Sequence, residues 1–88
     1  MLTSANSITE EVGAANVRFV GSQLCVTLSD GREISLPMDR VLWLRWLEQA
    51  APEQRANWSI EPSGFAIYWV DLDNGIEVCH LLSMQPVV

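Results

Sequence analysis

Asp71, Asp73 and Glu77 follow Trp69 in the stretch WVDLDNGIE, and carboxylates so spaced are ligands of the kind a hard divalent cation takes. They do not make an EF-hand calcium loop, which needs glycine at its sixth position and glutamate at its twelfth. Counted from Asp71, the glycine (Gly75) is fifth and the twelfth residue is Leu82. The same carboxylates suit the turn after a strand, where they accept nearby N–H groups. Two readings therefore stand: a site for a divalent cation or small ligand at Asp71, Asp73 and Glu77, and a turn. The turn is the expected one.

Nucleophilic chemistry has less to work with. The single histidine, His80, is next to Cys79. Neighbouring residues point to opposite faces of a strand, or stand roughly 100° apart on a helix, so a thiolate–imidazole pair is not expected. Gly21, Gly31, Gly64 and Gly75 are isolated at turns, and no glycine-rich phosphate loop is present. Paired carboxylates for acid–base work need a cleft that a chain of 88 residues seldom builds beside a core. No catalytic residue, resident metal or cofactor is expected.

The aromatic residues offer a platform, but not one for bases. Stacking on nucleic acid wants flanking cations, whereas Glu61, Asp71 and Asp73 surround Trp58 and Trp69, with Arg55 the one positive neighbour. The net charge is −6 and there is no lysine. Counterion release has little to act on, and nucleic-acid binding is not expected. The indoles are expected in the core.

Nearly half the residues are hydrophobic and under a fifth are charged, a folded composition for one domain. That is apolar for so small a surface and suggests cover by a partner. MLTSANSITEEVG carries neither the basic nor the apolar region of a signal peptide, and no run reaches membrane length. A cytoplasmic protein is expected, with Cys25 and Cys79 reduced and buried.

Positions 1–15 read as a weakly ordered segment with a capping box at Ser7–Glu10, and positions 16–88 as a single α+β domain. From Asn16 the apolar period is two. VRFV, QLCVTLS and REISLP form an antiparallel three-stranded meander, with Leu24, Val26, Leu28, Ile34 and Leu36 facing inward. Asp30-Gly31 between two of these runs predicts a type I′ hairpin turn. Asp39 then caps one amphipathic helix, RVLWLRWLEQAA, stopped by Pro52. Leu42, Trp43, Trp46, Leu47 and Ala50 share its apolar arc; Val41 and Leu44 point into the polar half. WSIE and FAIYWV, joined through PSG, form a second β-hairpin, and NGIEVCHLL closes the domain as a loop, a short strand or turn, and a short apolar C-terminal segment.

Taken in order, LSDGREISLP, LEQAAPEQRANW and SGFAIYWVDLDNGIEVCHLL resemble the bacterial domain of unknown function 2442. The matching features fall on Asp30-Gly31-Arg32, Pro37, Ala51, Glu53-Gln54-Arg55, Asn57-Trp58, Gly64, Ile67, Trp69, Leu72-Asp73 and Leu81-Leu82. Tyr68 stands where the family often has histidine, and Asn74-Gly75 where it often has two acidic residues. The family is uncharacterised. Its members resemble small proteins encoded beside another short protein, in a toxin–antitoxin-like arrangement, and some are fused to a helix-turn-helix domain. The resemblance implies a partner-binding module.

The reading from sequence is thus a small acidic, non-enzymatic protein–protein interaction module, antitoxin-like and homodimeric, suited to a basic protein encoded nearby. Its contact surface is expected at Val41, Leu44, Arg45 and Glu48 on the outer helix face. A divalent-cation or small-ligand domain and a DNA-binding transcriptional regulator are the alternatives. Arg32 and Arg55 are expected to pair with acids near the Asp71–Asp73 turn.

Overall fold

The computed structural model describes residues 12–83. The capping box expected at Ser7–Glu10 lies outside them. The first alternating runs become strands β1 (Ala14–Val20), β2 (Gln23–Leu28) and β3 (Glu33–Pro37), paired antiparallel in that order. β1 starts at Ala14, with a break in register between Ala14 and Asn16. Val17, Leu24, Val26, Leu28, Ile34 and Leu36 are buried, as the period of two requires.

The Asp-Gly turn differs from expectation. A type I′ turn needs positive φ at both central residues, but here only Gly31 (φ 94) has it. The Gly31 amide donates to the Leu28 carbonyl, and the Leu28 amide to the Arg32 carbonyl. This is a three-residue loop, a tight turn followed by a left-handed glycine. Asp30 holds it from inside. Its carboxylate accepts the Arg32 amide at 3.1 Å and the Arg32 Nε at 2.8 Å.

The single long helix is also revised. A 3-10 turn at Leu42–Leu44 leads into a one-turn helix α1 (Arg45–Glu48), and α2 (Pro52–Ala56) follows as a separate element. The residue preceding the first turn is Val41, not Asp39, and no side chain caps it. A 3-10 turn advances about 120° per residue. Val41, Leu44 and Leu47 therefore align on one ridge, and Leu44 and Leu47 are fully buried.

The second half forms a second three-stranded antiparallel sheet, β4 (Trp58–Ile60), β5 (Ala66–Trp69) and β6 (Asn74–Glu77), closed by helix α3 (Val78–Ser83). The second hairpin is present as expected; the short strand or turn expected in NGIEVCHLL is the strand β6, and its apolar end is the helix α3. Trp58 pairs with Trp69, Ile60 with Ile67, and Ile67 with Ile76, which sets one face of this sheet inward. Both sheets, Met38, Leu44, Leu47, Val78 and Leu81 contribute to one continuous core. No helix among the described residues is long and apolar enough to cross a membrane.

Candidate functional site

Trp69 is the centre of the second half. It is fully buried, its ring meets Trp46 edge-on with centroids 5.7 Å apart, and its Nε1 donates to the Arg55 carbonyl at 2.9 Å. Arg55 in turn donates from Nε to the Leu47 carbonyl at 3.0 Å and from a terminal nitrogen to the Glu48 carbonyl, so it caps the C-terminal end of α1. Its guanidinium carbon also stands 5.9 Å from the centre of the Phe19 ring. Gln54 completes the segment by accepting the Ala51 amide at the start of α2. The Gln54, Arg55 and Trp69 positions are thus one scaffold joining α1, α2 and both sheets. Trp58 is half-buried against the same core.

The two arginines do not pair with acids at the later turn. Arg32 binds Asp30 within its own loop, and Arg55 prefers carbonyls because it lies against the exposed end of a short helix. Arg18 pairs with Glu33 through two 3.0 Å bonds. These residues sit on β1 and β3, so the bridge crosses the outer face of β2 above Cys25, which is buried. Cys79, expected buried, is exposed at the start of α3.

The acidic turn is built from side chains. Asp71 accepts the Asn57 amide nitrogen at 3.0 Å, and Asp73 accepts the Tyr68 hydroxyl at 2.6 Å. That hydroxyl contact is the main reason the Tyr68 phenol is held above its ordinary pKa. Asp73 itself has left-handed backbone (φ 47) and ends the 3-10 turn at Val70–Leu72. Among the described residues, no three of His, Cys, Asp and Glu stand close enough to share a metal ion. Asp71, Asp73 and Glu77 are therefore not gathered into one ligand set.

The surface expected on the helix is redrawn as well. Leu44 is 0% exposed and belongs to the core, because the 3-10 turn rotates it inward. Val41 packs partly against the core, Glu48 is half-buried and Arg45 is exposed. The apolar side chain left outside is Leu42, at 78%.

Sequence reasoning did not find a groove of about 420 Å³ lined by Trp43, Trp46, Asn74, Gly75, Ile76, Glu77 and His80. It runs along β6, with the tryptophans of the first 3-10 turn and α1 as its opposite wall. Trp43 and His80 meet edge-on, centroids 4.6 Å apart. The signal was available in part: Trp43 and Trp46 share one side at three-residue spacing. Without knowing that residues 74–77 form a strand, nothing set them beside it.

The sequence profile of the family "protein of unknown function (DUF2442)" matches residues 14–84. The chain belongs to the DUF2442 family. Two solved structures are similar, and at their low identity they speak to the fold alone. One is the crystal structure of a protein of unknown function from Rhodospirillum rubrum, 24% identical, with a TM-score of 0.68; the match covers 84% of this chain and 88% of that one. The other is the solution structure of an uncharacterised protein from Chromobacterium violaceum, 23% identical, with a TM-score of 0.66, over 81% of this chain and 64% of that one. No curated protein matches. Within this DUF2442 chain, the resembling positions Asp30, Gly31, Arg32, Arg55 and Trp69 all hold turns or joints between elements.

Proposed function

We propose that this DUF2442 protein is a small acidic, non-enzymatic protein–protein interaction module, antitoxin-like, acting in the cytoplasm as a homodimer or with a basic protein encoded nearby. The observation that carries the reading is apolar surface exposed among the described residues. Val20, Leu42, Phe65 and Val70 are all more than half exposed, Leu42 most of all. Fully covering a leucine contributes about 1.5–3 kcal/mol, so a partner at Leu42 has a driving force to collect. The charge of −6 would steer a basic partner toward the surface.

The test is sedimentation of the purified protein, together with pulldown of the neighbouring gene product, for wild type and for Leu42→Glu. Wild type should sediment as a dimer or retain the neighbour, and Leu42→Glu should lose that association while keeping its fold. A wild-type chain that is monomeric up to 100 times its assay concentration (about two decades, enough to reveal a weak association) and retains no neighbour would sink the reading.

A further inference from the structure

Among the described residues β6 is an edge strand, open on one side, and its backbone pattern can be worked out from its partner strand. The Val78 amide donates to the Phe65 carbonyl at 2.8 Å, which makes residues 65 and 78 a hydrogen-bonded pair. Antiparallel pairs alternate between bonded and non-bonded, so Ile76 and Asn74 also face their β5 partners, Ile67 and Trp69. The backbone groups of Gly75 and Glu77 therefore turn the other way, off the sheet. The Gly75 amide is taken by Asn74 Oδ1 at 2.9 Å, leaving the Gly75 carbonyl and the Glu77 amide on the open edge. These are an acceptor and a donor two residues apart, the spacing at which an added strand bonds.

This edge is one side of the groove whose other wall is Trp43 and Trp46. A second observation comes from that wall. Trp43 Nε1 is the one buried side-chain nitrogen or oxygen among the described residues without a hydrogen-bond partner. A buried unpaired donor is costly, and an incoming carbonyl satisfies it only if the Trp43 ring turns Nε1 out into the groove. Charge selects among occupants. Glu77 lines the groove and no lysine or arginine among the described residues does, in a chain whose net charge is −6. A second copy of this chain would bring the same acid to the same edge.

Resting on the interaction-module reading, we propose that the β6 edge and the Trp43–Trp46 wall form a docking groove for an extended, net-cationic peptide segment of a partner protein, which binds by adding a strand. The segment pairs with the Gly75 carbonyl and the Glu77 amide, sets alternate side chains against the tryptophans, and places its cations toward Glu77.

The experiment is selection of a randomised heptapeptide display library on immobilised full-length protein, followed by synthesis of the enriched peptides. Enriched sequences should carry net positive charge and move the Gly75 and Glu77 amide and Trp43 indole resonances in nitrogen–proton spectra. N-methylation of alternate peptide residues should weaken binding at least tenfold, a change that leaves the protein's own folding untouched. Trp43→Phe, which keeps an aromatic wall but loses the indole N–H and part of the ring area, should weaken binding several-fold, and Glu77→Gln should flatten its salt dependence. No enrichment, enrichment of neutral or acidic peptides, or binding that leaves Gly75 and Glu77 unmoved would overturn the proposal. So would β6-edge pairing between two copies, seen as concentration-dependent shifts of the same amides without peptide. If the neighbouring protein is retained while the groove binds no peptide, the module reading stands and this groove falls. If neither binds and the chain is monomeric, both fall.

Discussion

At the scale of single residues, the acidic groups that looked available for chemistry are committed to loops. Asp30 shows the consequence for pH. The Arg32 amide, first, and its side chain hold the Asp30 carboxyl below its ordinary value. Unfolding in acid then takes up a proton the folded loop does not hold. The stabilisation is present above the unfolded value and is lost as pH falls through the folded one. In Asp30→Asn this part of the acid sensitivity should vanish, so melting temperature followed between pH 5 and pH 2 (roughly the carboxylate range) should fall less steeply than in wild type. Equal slopes would show that the loop contacts do not persist in solution. Trp69 makes the complementary case for burial. Trp69→Phe removes ring volume and leaves the Arg55 carbonyl without its donor, and should destabilise by about 2–4 kcal/mol in urea titration. The core role of Trp69 was legible from its place in the strand FAIYWV and from neighbours that are acidic save for Arg55. The carbonyl partner was not, since any exposed helix end could have supplied it.

At the scale of elements, what could be read from sequence was the kind of structure, and what could not was its phase. Alternation fixes which residues of β2 and β3 face inward, because a period of two leaves no third choice. The helical segment is different. Leu42, Trp43, Leu44, Trp46 and Leu47 are so densely apolar that a few tens of degrees of rotation per residue exchange inside for outside. The 3-10 turn supplied that rotation, sending Leu44 in and Leu42 out. The β6 groove was hidden for a related reason: Asn74-Gly75 reads as a loop, and only pairing with Tyr68 and Trp69 makes it a strand. The Pro62–Gly64 turn was legible as a turn, and its strain can be tested. Ser63 (φ 68, ψ 5) occupies the third position of a type II turn, where glycine is favoured. Gly64 follows with φ 72, and a Cβ there would meet the Ala14 carbonyl oxygen at 2.9 Å. Ser63→Gly should therefore be neutral to stabilising by up to about 1 kcal/mol, whereas Gly64→Ala should cost about 2 kcal/mol or more through strain and the clash with β1. Denaturant midpoints for the two variants check the contrast, and a harmless Gly64→Ala would refute the close approach.

At the scale of the whole molecule, the two sheets share no strand, yet they share a core. Leu24, Val26 and Ile34 from the first sheet and Ile67, Trp69 and Ile76 from the second belong to one buried cluster with Leu44, Leu47 and Leu81. Neither sheet can keep its inner face dry alone, because the buried residues of each belong to the same cluster as those of the other. The two halves should therefore unfold together. The chain offers a natural probe, because all four tryptophans lie after residue 42, so indole emission reports the second half while far-ultraviolet circular dichroism reports both. In urea the two signals should trace one transition with a common midpoint. Leu44→Ala, at the junction, should shift that midpoint downward by the equivalent of about 2–5 kcal/mol with the two curves still superimposed. If the emission curve separates from the dichroism curve, in wild type or in Leu44→Ala, the sheets are independent units and the shared core does not couple them.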